Sequence, residues 1–250
     1  MKHVSDTLAP LTIPPRFRGP TSSGNGGWTA GALAAYLAPG PVRVMLRVPP
    51  PLDVALAVET ATDEQGRDTA RALRDEVLVA EAAPADADVA EVEPVDVATA
   101  RAAEASYAGH RSHPFPSCFA CGTDRGAGDG LRIFPGRVAD DSEGRVRVAA
   151  TWTPDASLGD ETASLPVTWS ALDCIGGWAG DLEERLMVLG SMTARVHDLP
   201  RVGEEHVVVG GARGSSGRRT FTAASLYAAD GRLLGSAEHV WFAVSAGDFS

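Results

Sequence analysis

Asp173 stands in Pro166-Val167-Thr168-Trp169-Ser170-Ala171-Leu172-Asp173-Cys174-Ile175-Gly176-Gly177-Trp178, a run apolar enough to be buried on nearly every side as a helix. A carboxylate in such a place is costly unless it is hydrogen-bonded, paired or used to move protons. At helical spacing Trp169, Ser170, Asp173, Gly176, Gly177 and Gly180 share one small, partly polar side that can line a cleft. Asp173 is therefore a candidate general base, against the alternative of an inert acid satisfied by a backbone N–H or an arginine. Asn25-Gly26-Gly27 offers the complementary chemistry. Asn suits the cap of a helix, and glycines let a ligand approach the unpaired N–H groups of the first turn, where charge developing on a carbonyl oxygen is stabilised. The competing reading is that Gly26, Gly27 and Gly31 are small because a helix packs tightly on a sheet. His239, within Ser236-Ala237-Glu238-His239-Val240-Trp241, is the third candidate, able to polarise water or a carbonyl near neutral pH. Strand alternation puts it on the face of Ala237 and Trp241, so a merely packed or solvent-facing histidine is the other reading.

Cys118-Phe119-Ala120-Cys121 has the spacing at which two thiolates chelate one tetrahedral zinc ion, with His113 and Cys174 as the residues that could complete the set. No second Cys-x-x-Cys exists, and no thioredoxin-like βαβ pattern flanks this one. The expectation is a tight, packed turn beside the site, no bound metal or cofactor, and less than one zinc per chain. Three cysteines in 250 residues point to a reducing cytoplasm rather than a disulfide framework.

The elements that must position these residues come in two copies. Gly26-Gly27-Trp28-Thr29-Ala30-Gly31 returns as Gly176-Gly177-Trp178-Ala179-Gly180, and the alternating run Val42–Val48 returns as Ser191–His197. The turn Asp63–Arg67 likewise matches Gly214–Arg218. One helix and a meander of strands, made twice, is the simplest reading. Helices are expected from about Gly27 to Leu37 and Pro166 to Ala179. Strands are expected over Val42–Val48, Leu52–Thr62, Thr69–Glu81, Leu131–Val138, Arg145–Thr153, Val188–Val196, His206–Ala212, Arg219–Ala228 and Leu233–Val244, with a hairpin at Asp230-Gly231. An Ala-, Asp-, Glu- and Pro-rich stretch from residue 83 to 112, with a peripheral helix over Val97–Tyr107, reads as the linker between a first repeat, 1–82, and a second, 113–250. Short connections and abundant strands predict an α+β fold with an antiparallel sheet wrapped on helices, not a parallel Rossmann array.

Composition narrows the partners. The net charge of −11 disfavours nucleic acid and anionic membrane surfaces. Mean hydropathy near zero fits a soluble globular chain. The longest apolar run, Trp28 to Val42, is too short to span a bilayer, and Met1–Asp6 lacks the apolar core of a signal peptide. No Gly-x-Ser-x-Gly elbow and no phosphate-binding Gly-Lys-Ser/Thr loop occurs.

The stretch from Leu189-Gly190-Ser191-Met192 through Gly214–Phe221 to Tyr227–Ser236 resembles the second half of bacterial acyl-CoA thioesterases with a double hotdog fold. Gly24–Leu33 looks like the Gly-Gly helix start of their first half. The resemblance implies two hotdog repeats, each a sheet around one long helix, with acyl-CoA or acyl-carrier-protein thioesters bound at the seam and a homodimer as a possible assembly. It implies an acid in the middle of the helix as base or nucleophile, the place of Asp173, and strengthens the reading of Asn25, Gly26 and Gly27 as the groups that hold the carbonyl oxygen. His239 enters only as part of an arrangement different from the relatives' own. Trp28, Trp169 and Gly177 are expected to line the acyl site, and Arg213, Arg218 and Arg219 to meet the anionic coenzyme tail. One departure stands out: the relatives' Asp after the Leu that opens the strand following the second helix is Gly190 here, and their Gln in the last strand falls near His239. A non-catalytic binder of acyl thioesters or hydrophobic small molecules is the alternative. A hotdog hydratase is disfavoured, because no Asp-x-x-x-x-His pair opens either helix.

Overall fold

The computed structural model describes residues 8–86 and 88–245, so the Met1–Asp6 stretch lies outside the described residues. Helix α1 (Gly26–Ala34) starts where Asn25, itself extended, turns its side chain back to accept the Trp28 N–H. Strands β1 (Val42–Leu46), β2 (Ala57–Thr62), β3 (Asp68–Arg74) and β4 (Val77–Pro84) follow it. Helix α2 (Val97–Ala103) crosses between the halves, and β5 (Gly136–Val138) and β6 (Arg147–Trp152) lead into α3 (Leu165–Ala179). The chain closes with β7 (Met187–Val196), β8 (His206–Ser216), β9 (Arg219–Ala228) and β10 (Leu233–Ala243).

All ten strands form one antiparallel sheet in the order β2-β3-β4-β1-β7-β10-β9-β8-β6-β5. Read outward from the β1–β7 junction, β4, β3 and β2 on one side mirror β10, β9 and β8 on the other. The repeat in the sequence is thus a pseudo-twofold in space, with Val42 opposite Ala194 and Val44 opposite Met192 at its centre. Strands β5 and β6 extend the second half at its edge. Inside the curve lie α1 and α3, packed side by side because neither can hide its apolar surface alone. Gly31 makes this approach possible: a Cβ there would lie 2.8 Å from the Trp169 side chain.

Several elements differ from the sequence expectation. Leu52–Thr62 is a strand only from Ala57, the helix expected over Val97–Tyr107 is regular only to Ala103, and the strand from His206 runs on to Ser216. Three further differences have a direct physical reason. The run Thr69–Glu81 is two strands, because Asp75 and Glu76 both take positive φ and close a hairpin without glycine. Leu131–Val138 is mostly irregular and only Gly136–Val138 pairs, since Leu131 and Ile133 donate their N–H groups to Phe119 and Ala120 of the preceding loop. The two Gly-Gly-Trp copies occupy opposite helix ends: the first opens α1, whereas Gly176 and Gly177 stand in the last turn of the longer α3. In the interval 83–112, Val92 and Ala100 pack on Ala149, Val207, Val209 and Tyr227, covering the outer face of the second-half sheet. No helix among the described residues is long and apolar enough to cross a membrane.

Candidate active site at the seam of the two halves

Asp173 projects from the middle of α3 onto the first turn of α1. Its Oδ2 accepts the Gly27 N–H at 2.8 Å and the Asn25 Nδ2 at 3.0 Å. A Cβ on residue 27 would sit 2.4 Å from the Asp173 Cβ, so glycine there is what lets the acid reach the helix start. The carboxylate is only 2% exposed, and its Oδ1 is buried without a partner among the described residues. Burial pushes the carboxyl up to about 7 against the opposing pull of the Gly27 and Asn25 hydrogen bonds.

The N–H groups of the first turn of α1 are therefore divided. Trp28 gives its own to Asn25 Oδ1 at 2.8 Å, and Gly27 gives its own to Asp173. Gly26, half-buried on the cavity wall, is the first-turn residue whose N–H makes no hydrogen bond among the described residues. The Gly26 N–H is thus left unpaired at the start of α1, while the Gly27 N–H is bound to the acid.

Asp173, Asn25 and Gly26 open into a cavity of about 320 Å³ that lies across the seam. Leu46, Val48, Pro49 and Pro50 wall it from the first half; Met187, Leu189, Trp241 and Phe242 wall it from the second. Apolar walls around a few convergent polar groups are the usual makeup of a small-ligand pocket. Arg47, unremarked in the sequence, also lines it and pairs with Glu81. At Gly190 a Cβ would lie 2.3 Å from the partly exposed Phe242 ring, so a side chain there would have to displace that ring.

The turn with Cys118 and Cys121 also lines the cavity, as does Cys174 beside Asp173. The three thiols are free, and Cys118 Sγ lies 3.5 Å from Cys174 Sγ. His113 does not join them, because its Nε2 meets the Cys121 carbonyl and its Nδ1 accepts the Phe115 N–H.

Other expected residues lie elsewhere. His239 faces α3, with Nδ1 3.1 Å from Thr222 Oγ1 and its ring against Gly176, where a Cβ would come within 2.6 Å. Burial pushes its pKa down to about 4, so it is neutral and sealed behind the wall rather than at the cavity. Thr222 Oγ1 accepts the Trp241 Nε1 at 2.9 Å, so His239 supports that wall through one intermediate. Gly177 backs the Trp241 ring, Trp169 is core beneath Gly31, and Trp28 stacks on Phe17 at 4.5 Å. Arg213 donates to the Glu91 carbonyl and pairs with Asp141 at 3.7 Å, away from the cavity. Arg218 grips the Ala243 carbonyl between cavity-lining Phe242 and Val244, and Arg219 lies over Phe221. Alternation put His239 on the face of Ala237 and Trp241, and nothing in a single strand distinguishes a face that meets a helix from one that meets a cavity or solvent.

Comparison with known proteins settles the architecture. A hot dog fold protein of unknown function from Alicyclobacillus acidocaldarius superposes with a TM-score of 0.58, covering 97% of this chain and 96% of its own at 13% identity. The fold is a double hotdog. An acyl-CoA thioesterase II from Mycobacterium marinum matches at a TM-score of 0.63, 9% identity and 96% coverage of both chains. The tesB protein of Mycobacterium avium subsp. paratuberculosis matches at 0.61 and 13% identity, over 94% of this chain and 91% of that one. No family model and no curated protein sequence matches the chain.

Proposed function

We propose that the protein hydrolyses acyl thioesters of coenzyme A or an acyl carrier protein, in the reducing cytoplasm that its three free thiols favour. The observation that carries this reading is the buried Asp173 carboxylate, aimed from the helix of one half at the N-terminus of the helix of the other, inside an apolar cavity. The thioesterases among the structural neighbours support it. Asp173 takes a proton from water as the water oxygen bonds to the thioester carbon. The carbonyl oxygen, now negative, meets the Gly26 N–H at the positive end of α1. Collapse breaks the C–S bond, and the proton held by Asp173 leaves on the thiolate, giving free acid and thiol. Arg47, with Arg218 behind the rim, supplies the local positive charge that an anionic carrier needs on an acidic protein.

Gly190 favours a second reading, a binder without turnover, because the carboxylate expected at this place from the resemblance is absent and Phe242 lies against the glycine instead. Release of free thiol from a panel of short-, medium- and long-chain acyl-CoAs distinguishes the two. Hydrolysis of at least one supports the enzyme; ligand-dependent thermal stabilisation with no thiol released supports the binder.

A further inference from the structure

We infer that Cys118, Cys121 and Cys174 form a three-thiolate site for a zinc ion whose fourth coordination place opens on the seam cavity. Their Sγ atoms all lie within 4.8 Å of one another, and Cys118 and Cys174 are 3.5 Å apart. Two thiolates on one tetrahedral zinc, each about 2.3 Å from the metal, stand about 3.8 Å apart. A disulfide needs about 2.05 Å, and pairing any two would strand the third thiol in a buried site.

The surroundings are built for thiolates. Cys118 and Cys121 sit on a turn closed by Gly122 N–H to Cys118 O at 2.9 Å, and a Cβ at 122 would lie 2.4 Å from that oxygen. Asn25 Nδ2 lies 3.6 Å from Cys174 Sγ and 3.9 Å from Cys118 Sγ, a source of N–H donors to both sulfurs. Soft sulfur ligands select zinc over the hard divalent cations. Asp173 stays outside the cluster, and His113 is committed to backbone groups. All three cysteines line the cavity, so a fourth ligand, water or a donor atom of a bound molecule, would come from there. Three protein ligands with one open place is the arrangement of exchangeable rather than closed zinc sites. The sequence expectation of no metal rested on the single Cys pair, which did not reveal that α3 brings the third thiol to it.

This inference does not rest on the hydrolase reading, and its test reads metal. Wild-type protein from zinc-supplemented, reducing growth should carry about one zinc per chain, and Cys174→Ser less than about a fifth of that. Replacement of zinc by Co2+ in the wild type should give the intense sulfur-to-cobalt charge-transfer and d–d bands of a tetrahedral thiolate site. Addition of 2-mercaptoethanol should strengthen the charge-transfer band if the fourth place is open. Should Cys174→Ser fail to fold, the wild-type cobalt spectrum decides. Zinc-free wild type with no cobalt bands, a native disulfide among the three cysteines, or full zinc retention in folded Cys174→Ser would overturn the site; a cobalt spectrum indifferent to added thiol would overturn its open place.

Discussion

Asp173 and His239 are both buried ionisable groups in the second half, and opposite environments separate their roles. Asp173 has donors on one oxygen, none on the other and a cavity in front of it. His239 has the Thr222 hydroxyl at Nδ1, a buried Nε2 without a partner among the described residues and a helix against its ring, and burial keeps it neutral. Its pKa of about 4 lies below the ordinary 6.5, so between those values the unfolded chain binds the proton and the folded chain does not. Stability from this residue is full above the ordinary value and is lost as the pH falls toward 4, a loss of order 3 kcal/mol. His239→Gln keeps a partner for Thr222 without titrating, and it should flatten the fall of melting temperature between pH 6.5 and 4.5 relative to wild type. An unchanged pH profile would mean that His239 reaches solvent. Asp173 was legible because an acid in an apolar helix has few innocent explanations. The division of labour between Gly26 and Gly27 was not, since it depends on where the other helix places its acid.

At the scale of elements, the site is the N-terminus of α1, and Asn25 organises it. One side chain caps Trp28, braces Asp173 and faces two cysteine sulfurs. Asn25→Ala should cost about 1–2 kcal/mol through the lost cap alone, read as a lower denaturant midpoint, and should reduce turnover because Asp173 loses a brace. Retention of wild-type stability would show that water replaces the cap. Element types were largely readable from hydrophobic periodicity, and α3 and β9 fall close to their expected limits. The β3–β4 turn was invisible because Asp75 and Glu76 adopt the left-handed region without the glycine that normally advertises it. Cys174 joined Cys118 and Cys121 only through packing of α3 on the 115–122 turn, a contact between distant segments that no spacing rule encodes.

For the molecule as a whole, the halves are joined by β1–β7 pairing and α1–α3 packing, and the cavity exists only where they meet. The internal repeat made the mirrored strand order legible; the unequal helices, nine residues against fifteen, hid that the Gly-Gly-Trp copies sit at opposite ends. Because both halves share one sheet and one core, unfolding should be a single cooperative transition, coincident by far-UV circular dichroism and tryptophan fluorescence. Met192, fully buried on β7 opposite Val44, tests the junction: Met192→Ala should cost about 2–5 kcal/mol and move both signals together. Two separated transitions would show that the halves fold independently. The central claim is that Asp173, delivered across this seam, activates water against a thioester, and the most direct measurement is thiol release per folded molecule by wild type and Asp173→Asn on the best acyl-CoA substrate. The amide preserves size and can still accept the Gly27 N–H, so the account predicts a folded variant with turnover lowered by about two orders of magnitude or more; a folded variant with near-wild-type turnover would contradict it.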